Sequence, residues 1–458
     1  MSDAPELQEP PSAEAGGCRR LIGKGLLVLL VLVGVSALVG YQLYATRRDE
    51  LLASLQQDRE ELARPRPPRA VLRGEPREGN GAALYSASGA LFHDKEPMPE
   101  LAPEDAALTK GPRVNVPAGP VLRALFERQS ARTGRGYELR LQKARGKAVT
   151  GPPVGEGPAL SPTIRRLVDE AANAIELMRR AARCQSFDTS PEAVRQGFTR
   201  PHLVAAERAR SLTPDEAVAL GIDLLAAPLG VADATSSPSH IEPVMAEHAC
   251  WILAEALMRG PSPDAVDALA AALDRVVLPD LRRLLLLRAV YVGRCIGYDL
   301  GWETESPEAW RLGPGQTETR DPVTHALGLV QGWSQWRSDL TRILDAIAAG
   351  RKPDSARLQT MPRQARRLSK PEYMGHADVA MLVRIHEELS VRIALLKRVV
   401  AAHRAQRQGK LPTPGPAGTV GYGRSVTCSQ SGEFWIWRAQ VGERTMAAVT
   451  RFPAEKGQ

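Results

Sequence analysis

One stretch of the chain gathers the residue types that acid–base, nucleophilic or metal chemistry needs: Glu247, His248, Cys250 and Trp251. A carboxylate, an imidazole and a thiol can hold an ion or activate a nucleophile when they converge. Neighbouring helical residues point about 100° apart, so Glu247 and His248 meet on one ion only with help from another element. His386-Glu387-Glu388-Leu389-Ser390 opens like an HExxH zinc motif, but Ser390 stands where the second histidine ligand belongs. His386 is therefore expected beside an apolar stripe, with Glu387 and Glu388 in solvent. Trp302, Trp310, Trp333 and Trp336 lie close together and can offer stacking faces for sugars. Core packing is the stronger reading, because tryptophan buries a large area.

Other chemistry is not supported. There is no GxxxxGK[ST] or GxGxxG phosphate loop, no GxSxG elbow and no SxxK pair. No catalytic, cofactor-binding or metal-ligating residue is assigned, no cofactor is expected, and the reading leans away from an enzyme. The alternative is a cell-envelope hydrolase whose active site is dispersed over several helices, in a cleft near Glu247, His248 or Asp299. The net charge is +8, with 50 Arg against 10 Lys, but Arg is mostly interleaved with Asp and Glu, so nucleic acid is not an expected partner. The exception is 351–370, with seven cationic side chains against Asp354 alone. It can dock on anionic headgroups or an acidic partner, although a solvated connector is favoured.

These residues hang on an anchor. Gly25 to Tyr44 is free of charge and about as long as a 30 Å hydrocarbon core requires. Tyr41 and Tyr44 mark one interface, Arg19, Arg20 and Lys24 flank one end, and Arg47 and Arg48 flank the other. The acidic Asp49 and Glu50 directly after Arg47 and Arg48 favour a signal anchor with a cytoplasmic N-terminus, an inner-membrane location and a periplasmic body. A cleaved signal peptide is the rival, yet its one small-residue exit, Val35-Ser36-Ala37, lies inside the span. Cys18 falls on the inside and reads as incidental. Cys184, Cys250, Cys295 and Cys428 fall outside, where they form two disulfides in one of three pairings, unless Cys250 and Cys295 are simply small apolar residues on helix faces.

The fold class expected is mainly α: a transmembrane helix, an irregular helical bundle or array, and a small C-terminal antiparallel β meander. Residues 1–20 read as a disordered cytoplasmic tail and 21–44 as the membrane helix. Next come a stalk helix with a Pro/Arg-rich linker at 45–79 and an irregular Pro/Gly-rich segment at 80–161, with short helices expected from Asn80 to Phe92 and from Val121 to Arg132, which drapes over the body or stays partly mobile. The helical body covers 162–408 and a β-rich appendage 409–458. Body helices are marked by Ile164 to Ala182 at helical spacing, by Thr213-Pro214-Asp215-Glu216, Ser262-Pro263 and Pro279-Asp280 as starts, and by Gly260, Gly350 and Gly409 as stops. The helix opened at Thr213 is expected to run to about Ala227, with a loop from Gly230 to Ser239 after it. The stripe Leu51, Leu55, Leu62 and the pair Ser36 and Gly40 offer a homodimer through stalk and span. After 409 the period becomes two in GRSVTCSQ, EFWIWRAQ and RTMAAVTRF, which predicts three strands.

Asn80, Ala82 and Tyr85 form an Asn-x-Ala-x-x-Tyr segment, and the last long helix leaves through His403-Arg404 and then Gly409 and Pro412. With the N-terminal span, this arrangement resembles uncharacterised bacterial single-pass membrane-anchored proteins with a mostly helical extracytoplasmic body. In that pattern an aromatic residue is usual where His403 stands. The resemblance implies an envelope location and no particular activity. The expected role is a membrane-anchored extracytoplasmic scaffold or protein-binding module, with the membrane and other envelope proteins as partners.

Overall fold

The computed structural model describes residues 15–64, 68–92, 97–111, 113–114, 125, 162–187, 199–234, 241–299, 322–349, 351, 353–354, 356–358, 360–361, 379–420, 423–431, 434–442 and 444–451. The chain is mainly helical, with one long apolar N-terminal helix and a small four-stranded antiparallel sheet near the C-terminus. Helix α1 (Ala15–Leu62) contains a window of mean hydropathy 2.4, none of it buried, and is long and apolar enough to cross a membrane.

Helix α1 does not end as a free stalk. Leu51, Leu55 and Asp58 are buried against α10 (Leu281–Asp299) and α11 (Pro322–Ala348). The stripe offered for pairing two copies thus packs inside one chain. These helices, together with Val379, Leu382 and Val383 at the start of α12 (Val379–Gln406), form the smaller of two main cores. Trp333 and Trp336 stack there with ring centroids 5.3 Å apart, which bears out core packing for that pair. Trp302 and Trp310 lie outside the described residues.

The larger core gathers α2 (Gly81–Ala90), α4 (Pro162–Glu170), α5 (Ala172–Ala181), α6 (Thr199–Ser211), α7 (Pro214–Ala234), α8 (Ile241–Met258), α9 (Pro263–Asp274) and Leu389 to Ala402 of α12, with α3 (Pro103–Thr109) alongside. Local chemistry starts these helices as predicted. Thr213 and Glu216 bond reciprocally at the start of α7, and Ser262 accepts from Ala265 N at the start of α9. Gly260 and Gly409, at φ +74° and +70°, close α8 and α12 in the left-handed region where a side chain is costly.

Four expectations need correction. The segment from 80 does not drape where it is described: α2 is almost wholly buried, with Tyr85 1% exposed. Its small residues Gly81, Ala82, Ala87, Ser88 and Gly89 let neighbours close on every side, so it shows no amphipathic period. The helix expected from Ile164 to Ala182 is two, interrupted at Ala171. Helix α7 runs through Pro228 to Ala234 rather than yielding to a loop near Gly230. The C-terminal sheet has four strands, β3 (Gly415–Val420), β4 (Arg424–Ser431), β5 (Phe434–Val441) and β6 (Arg444–Arg451), in the order β3-β4-β5-β6. Strand β3 went unread because Gly and Pro fill it, which only an edge strand tolerates. Trp435 and Trp437 are buried in the larger core, so the sheet packs on the helices, as a meander too small to stand alone requires.

A pair of short strands completes the fold. β1 (Arg77–Asn80) runs parallel to β2 (Cys184–Ser186), tying the segment after α1 to the end of α5. Cys184, Cys250 and Cys428 are free thiols buried in different elements, so they make no disulfide with one another. Burial pushes the Cys184 thiol up to about 11 and the Cys250 thiol up to about 12, which removes thiolate character near neutral pH. The side chain of Cys295 lies outside the described residues.

Candidate functional site

The carboxylate, imidazole and thiol of the Glu247 cluster do not converge. Glu247 and Trp251 lie one turn apart on α8 and together hold Arg392 of α12. The Arg392 guanidinium pairs with Glu247 at 3.2 Å, stands 3.8 Å from the Trp251 ring centroid, and donates to the Ala447 carbonyl of β6 at 2.9 Å. One buried cation thus joins α8, α12 and the sheet. His248 and Cys250 turn into the larger core instead. The His248 Nδ1 is buried without a hydrogen-bond partner among the described residues, and loss of solvent lowers its pKa.

A second polar group in that core was not foreseen. Tyr85 Oη and His202 Nε2 are 2.7 Å apart, both side chains fully buried, with the rings edge to face at 5.7 Å. Burial, helped by His248 nearby, drives the His202 pKa down to about 3, so the ring is neutral at ordinary pH. The signal available in sequence was the tyrosine of the Asn80-Ala82-Tyr85 segment. Its partner is 117 residues away, beyond any local pattern.

His386, half-buried, bonds the Pro279 carbonyl at 3.0 Å just before α10. Glu387 and Glu388 are not in solvent: both are buried, Glu387 against Arg424 of β4 and Glu388 near Arg384. Strand β4 covers α12 at Glu387, which makes that carboxylate an interior anchor between helix and sheet. His403 bonds Thr450 Oγ1 of β6 at 2.6 Å and has its pKa lowered by burial to about 4. The backbone of Asp299 ends α10, while its side chain lies outside the described residues. Of the basic stretch 351–370, Arg357 pairs with Asp339 at 3.4 Å and with Asp354 at 3.3 Å, and 362–370 lies outside the described residues.

The remaining concentration of charge fastens α1 and its connector to the body. Arg73 and Arg179 both reach the buried Asp223, each at 3.2 Å, and Arg77 and Arg180 both reach the buried Asp105, each at 2.8 Å. Burial raises the Asp223 pKa against the lowering pull of Arg73 and Arg179. At the end of α1, Asp58 pairs with Arg337 at 2.5 Å and Glu61 with Arg282 at 2.7 Å, while Arg283 donates to the Leu62 carbonyl at 2.8 Å. The connector is therefore clamped at both ends by buried carboxylates and by the β1–β2 ladder.

Among the described residues no group of three or more His, Cys, Asp or Glu is placed to hold a metal ion. Compared with family models, curated proteins and solved structures, the chain matches none. The arrangement can hold elements together, and its most concentrated use of charge is where the long apolar helix meets the body.

Proposed function

We propose that this chain is a membrane-anchored scaffold whose helical body lies outside the cytoplasm and binds another envelope protein. The observation that carries the reading is the continuity of α1: one helix passes from a fully exposed apolar run into packing that buries Leu51, Leu55 and Asp58. An exposed run of Leu and Val is stable in lipid and costly in water, at about 25 cal/mol per Å² of apolar surface. A peptide removed after export has no need of buried contacts just beyond its apolar core, which favours a retained anchor. The polar side chains that might have served catalysis are buried as neutral histidines or committed to ion pairs between elements, which favours holding over turnover. The likeness to anchored bacterial proteins with helical bodies, noted from Asn80, Tyr85, His403 and Gly409, points the same way.

A phosphatase reporter fused after Gln458 tests the placement, together with alkaline extraction of membranes. Reporter activity and retention in the pellet are expected. An inactive reporter on a membrane-retained chain reverses the orientation, and release by alkali removes the anchor. The binding role is tested by photo-crosslinkers spread over the exposed face of the body in living cells. Discrete adducts to one envelope protein are expected, and purified body that turns over an envelope substrate without adducts replaces the scaffold by an enzyme.

A further inference from the structure

Where the connector meets α5 and α7, one carboxylate faces three guanidinium groups. The geometry points to a site there for a protonated phosphate group, as inorganic phosphate or a phosphate monoester, between Arg73, Arg179, Arg183 and Asp223. The site belongs to the connector and the larger core, so it does not depend on α1 crossing a membrane. Arg73 and Arg179 both pair with the same oxygen of Asp223, Oδ2, each at 3.2 Å. The other oxygen, Oδ1, is buried without a hydrogen-bond partner among the described residues. Arg183, between α5 and β2, lies close enough to pull on the Asp223 carboxylate electrostatically, yet its Nε is also buried without a partner among the described residues. Its backbone is tied down: its N–H donates to the Arg180 carbonyl at 3.1 Å, and its carbonyl accepts from the Arg77 N–H at 2.9 Å. Glu176 does not relieve it, being shared between Arg179 at 3.3 Å and Arg180 at 3.2 Å.

A buried acceptor and a buried donor are both costly to leave unmet. A ligand that meets both accepts from Arg183 Nε and donates to Asp223 Oδ1. Phosphate does this with one group: a P–OH donates to the carboxylate while the charged oxygens take guanidinium N–H bonds, which suit oxyanions in parallel pairs. Inorganic phosphate keeps at least one proton at neutral pH, and a monoester keeps its last proton up to about pH 6. Sulfate and phosphodiesters carry none, so the carboxylate that steadies the arginines also selects against them. Solvent reaches the cluster, because Arg73 and Arg179 keep 34% and 35% of their side-chain surface open. Gly74, exposed and at φ +74°, leaves Arg183 bare where a Cβ would stand 3.5 Å from its Nε.

The test uses full-length protein in a maltoside detergent at about pH 6, with hydrogen exchange read over residues 69–80 and 179–186 in phosphate, sulfate or chloride of equal ionic strength. Phosphate at about ten times its Kd is expected to slow exchange there about tenfold relative to chloride, with sulfate close to chloride. The Arg183 side chain makes no hydrogen bond or ion pair among the described residues, so Arg183→Gln is expected to fold and to lose the phosphate response. Arg183→Lys, which keeps the charge without Nε, is expected to lose most of it. Phosphatidylcholine nanodiscs with and without phosphatidic acid, free of soluble phosphate, separate the two sources. Slowing that needs Arg183 and appears with phosphatidic acid assigns the site a lipid headgroup, whereas slowing by soluble phosphate alone assigns it a free anion or soluble monoester. No response to either source, an equal response to sulfate, or a response that survives both substitutions overturns the proposal.

Discussion

The two main cores are built differently. The larger one is held by close approach of small residues. The Phe187 ring is wedged between Gly81 and Gly230, where an added Cβ would stand 2.6 and 2.4 Å from it, and Gly221 of α7 meets Leu253 of α8 in the same way. Its buried polar members include the neutral Tyr85–His202 pair beside charged anchors, Arg392 between Glu247 and β6 and Asp223 beneath Arg73 and Arg179. The smaller core has α1, α10, α11 and the start of α12, two stacked tryptophans, and charge pairs along the seam with α1. The difference teaches that the larger core supplies its own cohesion, whereas the smaller one depends on the anchor helix as one of its walls. Helix α12, shared between them, is the mechanical link.

Substitutions that strike one core and spare the other break or sharpen that contrast. The largest effect is expected from Trp333→Ala, which removes a fully buried ring from the smaller core and costs about 3–5 kcal/mol. Hydrogen exchange read by mass spectrometry should show protection lost in α10, α11 and residues 50–62 of α1, with α7 and α8 unchanged. Uniform loss in both regions would mean that the cores are one cooperative unit. Gly230→Val forces a branched side chain into the Phe187 ring and is expected to cost about 1–3 kcal/mol in the larger core. The exchange pattern should be the mirror image, with α2 and α7 exposed first.

Acid separates the cores as well. The His202 pKa is lowered in the folded chain, to about 3, from an unfolded value near 6.5. The unfolded state therefore takes up the proton first, so the larger core is at full stability above pH 6.5 and weakens as pH falls toward 3. At pH 5 the loss from this one ring is about 2 kcal/mol. His403, lowered to about 4 where it meets Thr450, adds in the same direction. Chemical denaturation of His202→Gln between pH 7 and 5 is expected to give a flatter dependence than the parent chain. Parallel slopes would mean that His202 is not the group taking up the proton.

The parts of this organisation readable from sequence are those set by local rules. Charge-free length marked α1, caps at Thr213 and Ser262 marked helix starts, and left-handed glycines at 260 and 409 marked stops. What escaped depends on partners far along the chain. The short helix after Asn80 was legible but its burial was not, because α2 carries small residues without a period and nothing near it announces Phe187 or His202. Glu247, His248 and Cys250 looked like one cluster because they are adjacent, but a helix sends them to different neighbours. Glu387 and Glu388 looked solvated because Arg424 follows 37 residues later for the first of them. The dependence of the smaller core on the stalk was equally hidden, since Leu51, Leu55 and Leu62 describe an apolar stripe without naming what covers it.

The smallest expected effect tests whether the seam with α1 is fastened by its ion pairs or only tuned by them. Glu61 and Arg282 keep 28% and 41% of their side-chain surface in solvent, so their pairing is screened and worth about 1 kcal/mol or less. Asp58 and Arg337 keep 3% and 19%, so losing one partner leaves a charge with little water to replace it. Glu61→Gln is therefore expected to change exchange rates in α10 and residues 50–62 of α1 by less than about fivefold, while Asp58→Ala changes them far more. The decisive measurement is the salt dependence. If the seam is tuned at its rim and locked at its centre, 1 M salt should abolish the effect of Glu61→Gln and leave that of Asp58→Ala, because screening reaches exposed pairs and spares buried ones. Equal sensitivity to salt would place both pairs at the rim and leave Leu51 and Leu55 as the whole attachment between anchor and body.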